Sequence, residues 1–287
     1  MRQRFFLPVL LMFAGCACPA FADSCTMIST APVVFGNYSG TTIHAAGSLT
    51  FQCAQGSFYS IGLSAGTTSG ATVTNRILSG ASTTLLYGLY SDASYFTTWD
   101  NTGGSGLVSG TATGASQTVT VYAELQAGQN PPAGSYADIV TATISGNFPS
   151  SSIPLSISAT VMKACTVAAS TMNFGYYTGA PLDSIATITA TCTNGTAYQI
   201  GLDAGTSPGA TESHRSMVGP SSALMNYNLY SDSSRSIMWG NQLGTDTVAG
   251  TGSGNVQTLA VYGQVPTGQT TVVPGNYSDT VTVTLTY

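Results

Sequence analysis

The last seven residues, Val281 to Tyr287, read VTVTLTY, with apolar and polar side chains in strict alternation. Period-two alternation predicts a β-strand with one face toward a core and one toward solvent. Asp138 to Ile144, DIVTATI, carries the same pattern. There the chain turns through SGNFPSSS and enters IPLSISATV, which places Ile153, Leu155, Ile157, Ala159 and Val161 on one face of a further strand. Nothing comparable follows Val281–Tyr287. Outside the first twenty residues no window shows a helical apolar period. Short alternating segments lie between Gly, Ser and Asn clusters, which predicts an all-β sandwich or barrel.

The chain repeats itself with a period of about 140 residues. VVFGNY (Val33 to Tyr38) answers MNFGYY (Met172 to Tyr177), and IGLSAGTTSGAT (Ile61 to Thr72) answers IGLDAGTSPGAT (Ile200 to Thr211). LYSD at Leu89 to Asp92 returns at Leu229 to Asp232, and Trp99-Asp-Asn returns as Trp239-Gly-Asn. VTVYAEL (Val119 to Leu125) matches LAVYGQV (Leu259 to Val265), and AGSYADIVTATI matches PGNYSDTVTVTL. Each copy yields about seven strands, the number of an immunoglobulin-like sandwich with Greek-key connections. These strands lie around the two cysteines, IGL, the Arg-containing segment, LYSD, VTVY and the Tyr-x-Asp strand. Trp99, Trp239 and the paired tyrosines recur in both copies, so they are assigned to the core rather than to a site. Arg76 and Arg215 also match, and they are read as braces of the fold.

Composition adds the compartment. The first residues, MRQRFFLPVLLMFAGCACPAFA, combine Arg2 and Arg4, an apolar stretch from Phe5 to Ala17, and Ala20-Phe21-Ala22 as an A-x-A cleavage site. The expected division is a signal peptide at 1–22, a first domain at 23–162 and a second at 163–287. The apolar run is short for a membrane span. Lipidation of Cys16 is the competing use of that leader. Without the leader four basic residues remain, Arg76, Lys163, Arg215 and Arg235, against eleven acids, a formal charge of −7 (4 − 11). Such a surface has no basic patch for nucleic acid or an anionic membrane. Charged residues are only 6% of the chain while hydrophobic ones are 43%, enough to fill a core. Cys25, Cys53, Cys165 and Cys192 stand at nearly equal spacing in the two copies, and an exported chain favours two local disulfides, Cys25–Cys53 and Cys165–Cys192. No C-x-x-C pair suggests zinc, and no calcium loop is visible, so no metal or cofactor is expected.

Taken together, C-T…FG-Y…C, LYSD…W-N and VYG…G-Y-D-VTVTLTY resemble the spore coat protein U domain, twice over residues 25–287. That family includes subunits of archaic chaperone–usher pili, the Csu-type fimbriae. The resemblance implies export through the periplasm, an incomplete immunoglobulin-like fold, and assembly by a periplasmic chaperone and an outer-membrane usher. On this view Ile153 to Val161 complete the first domain as its last strand. The second domain lacks such a strand and takes one from an adjacent pilin subunit by β-strand addition. Only Asp23 and Ser24 precede Cys25 after the expected cleavage, so the chain is expected to accept a strand and to donate none. That is the position of a tip adhesin at the cell surface, promoting adhesion and biofilm formation.

The tip would be the distal pole of the first domain. Phe58 faces Ala197, Tyr95 and Phe96 face Arg235 and Ser236, and Phe148 and Pro149 have no counterpart, so these loops carry aromatic or apolar residues that the second copy lacks, with Leu107 and Val108 as weaker additions. They are the candidate contacts to an abiotic surface or host receptor. Two other classes compete. A carbohydrate-binding head would use Tyr95, Phe96, Trp99, Asp100 and Asn101, and a structural coat protein would not need one complete and one incomplete domain. Catalysis has little to build on, because only His44 and His214 occur and no nucleophile motif marks a triad.

Overall fold

The computed structural model describes residues 24–103 and 106–287. The expected leader and Cys16 lie outside the described residues. The described chain is all-β apart from one 3₁₀ turn at Pro220–Ser222, in two successive sandwiches.

The first sandwich contains β1 (Cys25–Ala31), β2 (Val33–Asn37), β3 (Ile43–Cys53), β4 (Phe58–Leu63), β5 (Arg76–Ser79), β6 (Thr84–Tyr90), β7 (Val108–Thr111), β8 (Ser116–Leu125), β9 (Gly134–Gly146) and β10 (Ser151–Val161). One layer runs β1-β3-β8-β6-β5, and the other is built from β4, β7, β9, β10 and β2. A single pair, Ser79 with Ala137, joins the layers at a corner. The first strand breaks at Pro32: β1 pairs with β3 antiparallel, and β2 crosses to the other layer and pairs with β10 in parallel. β10 lies between β2 and β9 and pairs antiparallel with β9 along its whole length, from Ser151 opposite Ile144 to Val161 opposite Gly134.

The second sandwich contains β11 (Cys165–Ala169), β12 (Leu182–Cys192), β13 (Ala197–Leu202), β14 (Arg215–Val218), β15 (Leu224–Tyr230), β16 (Val248–Thr251), β17 (Val256–Val265) and β18 (Val283–Thr286). Its layers are β11-β12-β17-β15-β14 and β16-β13-β18. Both disulfides are formed, Cys25–Cys53 and Cys165–Cys192, with sequence separations of 28 and 27.

Beyond the seven strands per copy and β10 read from sequence, the first copy has two more, β2 and β7, and the second has one, β16. β7 and its counterpart β16 form in Gly-rich segments that offer little apolar alternation, and they are held by pairing to β4 and β13. β2 exists because β10 lies beside it. Its counterpart, Met172–Tyr177, has the same chemistry and forms no strand.

The repeat recurs contact for contact around the buried tryptophans and arginines. Trp99 and Trp239 are buried, and their indole N–H groups donate to Ile61 and Ile200 carbonyls, each at 2.8 Å. Arg76 is fully buried and donates to four carbonyls, those of Ser64, Val73, Leu63 and Trp99, at 2.6–2.9 Å. Arg215 does the same with Asp203, Glu212, Leu202 and Trp239. Burial brings the Arg76 guanidinium down to about 10, still charged at neutral pH. Both arginines therefore brace the loops around β4 and β13. The domains meet at Asn130, whose side chain donates to the Ser253 carbonyl at 2.8 Å and whose carbonyl accepts from Asn194 at 2.9 Å.

Candidate functional site: an open groove and an aromatic pole

The two sandwiches differ most where β10 sits. In the first, Leu155, Ile157, Ala159 and Val161 of β10 are buried in the core, with Ile153 packed at its margin. Under them Val33, Phe35 and Tyr38 are buried, and so are Tyr136, Asp138, Val140, Ala142 and Ile144 of β9. In the second sandwich the matching residues, Met172, Phe174 and Tyr177 and then Tyr277, Asp279, Val281, Val283 and Leu285, are all only half-buried. Of that run only Val283–Thr286 is a strand, and it pairs with β13 alone.

Between Ala169–Phe174 and Tyr277–Val283 lies a cavity of about 450 Å³ floored by Ile188, Leu202, Leu229 and Val261. A second, of about 670 Å³, continues it between Met172–Tyr177 and Val272–Tyr277. This groove is apolar, elongated and bounded by backbone with unpaired strand-forming sequence, which is the geometry for one added β-strand. Its shape is held by side chains common to both copies. Tyr227 donates to Asp279 at 2.7 Å as Tyr87 does to Asp138. Burial, followed by the hydrogen bond to the aspartate, pushes both phenols far up. Asp203 accepts from the Thr282 N–H at 2.8 Å. Burial opposes its ionisation, yet the hydrogen bonds from Thr282 and Gly205 together hold its carboxyl below the usual range.

The pole at the Cys25–Cys53 end carries part of the expected aromatic set. Phe58, at the start of β4, is 74% exposed. Phe148 and Pro149 lie in the β9–β10 hairpin, Phe148 half-buried against the core and Pro149 exposed. A Cβ at Gly146 would collide with both the Phe148 ring and the Phe58 carbonyl, so these residues form one cluster.

The remaining candidates lie elsewhere. Tyr95 adopts a left-handed turn (φ 57°) and stacks on His44, ring centroids 3.9 Å apart, with Tyr90 and Tyr122 edge-on. His44 is the second residue of β3, nine positions before Cys53, which separates this stack from the pole by roughly 30 Å along the strand. The reason is that β6 ends at Tyr90, beside Tyr122, and the following turn folds over the sheet face. Phe96 is 89% exposed on that turn. Leu107 and Val108 are half-buried at β7, and Val108 packs on the core. Trp99 is buried and unavailable to the carbohydrate platform. His44 Nε2 faces Glu124 at 3.0 Å, and His214 hydrogen-bonds to its neighbour Ser213. Among the described residues no three His, Cys, Asp or Glu side chains gather for a metal, and no helix is long and apolar enough to cross a membrane.

The fold is thus a pair of all-β sandwiches, one filled by a strand of its own chain and one with a groove at the corresponding place. The chain belongs to the Spore Coat Protein U domain family, which it matches over residues 12–143 and again over 152–284. Protein U of Myxococcus xanthus is 38% identical over 120 residues, covering 39% of this chain and 66% of that protein's length. In arrangement the chain is similar to a chain of the CsuC–CsuE chaperone–tip adhesion subunit pre-assembly complex of archaic Csu pili from Acinetobacter baumannii (15% identity, TM-score 0.49, 92% and 100% of the two chains). It is also similar to the CupB6 tip adhesin of Pseudomonas aeruginosa (11% identity, TM-score 0.38, 92% and 94%).

The second family match begins at residue 152, at the second residue of β10. By sequence, then, β10 is the segment preceding the first cysteine of the second unit. In space it completes the first.

Proposed function

We propose that this chain is the adhesive end subunit of a chaperone–usher fibre, with no enzymatic activity. The second domain accepts a donor strand from another chain into the groove between Met172–Tyr177 and Tyr277–Leu285. The first domain, already filled by β10, presents the Cys25–Cys53 pole with Phe58, Phe148 and Pro149, and Phe96 as a separate contact, to an apolar surface or receptor. Domains 23–162 and 163–287 are the working units after removal of the leader.

The observation that supports this most is the contrast across the repeat: the same residues are closed under a strand in one copy and half-open in the other. β10 also indicates the donor, since it is the segment just before a cysteine-bearing unit of the same family. An adjacent pilin subunit of this family would supply an equivalent segment, after a periplasmic chaperone had covered the groove and an outer-membrane usher had directed the exchange.

The test uses the full mature chain, extended after Tyr287 by a copy of Asn147–Val161, which reproduces the native β9–β10 hairpin. Hydrogen exchange of residues 276–286 and thermal unfolding are compared with and without the extension. The expected result is strong protection of those amides, a raised transition for the second domain and reduced aggregation. Unchanged exchange and stability, with the extension and with a peptide from a co-encoded pilin, would remove the acceptor role.

A further inference from the structure

Three groove positions change together between the copies. Leu78 opposes Leu85 in the β5–β6 pair, and Met217 opposes Met225 in the β14–β15 pair, in the same register relative to Arg76–Tyr87 and Arg215–Tyr227. Val33, opposite Ile157 of β10, corresponds to Met172. The filled sandwich therefore uses Val33, Leu78 and Leu85, all fully buried, where the open one uses Met172, Met217 and Met225. All three methionines line the cavity of about 670 Å³ facing Val272–Tyr277. In the first sandwich the matching stretch of β9 faces Ala159 and Val161 of β10.

The two sets differ in adaptability more than in size. Val and Leu have few rotamers and define one cavity shape. Methionine is unbranched, has three rotatable bonds and a polarisable sulfur, and refills irregular gaps, which is why it recurs on surfaces that bind unlike partners. A groove filled once, by a strand of its own chain, needs a single fit. A groove whose strand is exchanged for another of different sequence needs a wall that refits.

We infer that Met172, Met217 and Met225 form an adaptable subsite at one end of the acceptor groove. Its occupant is an extended segment of another chain, antiparallel to Tyr277–Leu285 and parallel to Met172–Tyr177. The subsite takes side chains from Ala to Leu at the donor position that Ala159 holds in the first domain. This rests on the acceptor reading above.

The test uses the full chain carrying the Asn147–Val161 extension, with the residue copied from Ala159 set to Ala, Val or Leu. The series is repeated in a Met172→Val/Met217→Leu/Met225→Leu background and, in case that background folds poorly, in Met217→Leu alone. Unfolding of the second domain should stay within about 2 °C across the series in the natural background. In the substituted backgrounds the Leu extension should fall below the Ala extension by more than about 8 °C, or by about half that for Met217→Leu alone. Equal steepness in all backgrounds overturns the adaptable subsite while leaving the acceptor role intact. Failure of every extension to stabilise the natural chain overturns both.

Discussion

Ala159 of β10 stands opposite Tyr136 of β9, whereas Tyr277, the repeat's counterpart of Tyr136, has no strand in the place of β10 among the described residues, although Val218 of β14 bridges the next residue, Ser278, on the other side. Both tyrosines keep the same anchor, donating to the carbonyl four residues earlier, Pro132 at 2.8 Å and Val273 at 2.9 Å. The local turn is therefore shared, and only the neighbour differs. Tyr136 is 3% exposed and Tyr277 is half-open for that reason alone.

A matched pair of truncations reads this difference as energy. Val140 is fully buried beside its strand partner Leu155, and Val281 holds the same place in the open groove. Val140→Ala should destabilise the first domain by about 2 kcal/mol, and Val281→Ala the second by under about 1 kcal/mol, in urea unfolding. Extending the chain with the copied strand should bring the Val281→Ala penalty up to that of Val140→Ala.

The buried arginines should tolerate no substitute. Arg76→Lys loses the planar fork that reaches four carbonyls, and Arg76→Ala leaves those carbonyls unpaired. A loss of about 3–5 kcal/mol is expected for Arg76→Ala, and the same for Arg215→Ala in the second domain. Domain-resolved chemical denaturation measures it, and a loss below about 1 kcal/mol would show that the carbonyls find other donors.

Each disulfide closes a loop of similar length in its own domain. Replacing Cys25 and Cys53 by Ser should lower the first domain's stability by about 3–4 kcal/mol and leave the second unaffected. The reciprocal pair, Cys165 and Cys192, should act on the second domain only.

The turn that carries Tyr95 and Phe96 is tied to Asp92. The Thr97 N–H, 2.6 Å away, outweighs an opposing desolvation effect and, with the Phe96 N–H, holds the Asp92 carboxyl down at about 2. A carboxyl depressed on folding contributes its stabilisation above the unfolded value near 4 and loses it as pH falls toward 2. Carboxyl NMR should show Asp92 titrating near pH 2, with the Thr97 amide resonance following it. Titration near 4 would show the turn to be unformed in solution. Asp232 is held below the usual range in the same way, by Ser234 first and then Ile237.

The pole can be tested without disturbing the core, because Phe58 and Pro149 are exposed. Phe58→Ser with Pro149→Ser should reduce retention on an apolar surface by about tenfold, equivalent to ~1.4 kcal/mol, with little change in melting. Phe96→Ser alone should do less, because its turn lies away from the pole. Inhibition by a free glycan, with retention on apolar surfaces unchanged, would favour a sugar-binding head instead.

Much of the molecule was legible as periodicity. Alternation located the long strands β3, β8, β9, β10 and β12, and the repeated Cys, Trp, Arg and Tyr-x-Asp positions recur in space as matching contacts. The aromatic loop residues were legible only as types. Their sequence neighbourhood could not show that the turn after Tyr90 folds onto His44 while Phe58 and Phe148 meet at the other end. That outcome depends on where β6 stops against β8.

The sequence by itself determined the strand-forming pattern, the two copies and the cysteine pairing, because side-chain alternation and spacing are local properties. Only the tertiary structure decided which alternating segments are strands. Val33–Asn37 is a strand and Met172–Tyr177 is not, and Gly134–Gly146 pairs along its length while its counterpart pairs only over Val283–Thr286 and at the single Ser278–Val218 bridge. A strand's backbone donors and acceptors are satisfied by a neighbour, so its existence depends on what lies beside it. In the first copy that neighbour is β10, and in the second the described residues hold none.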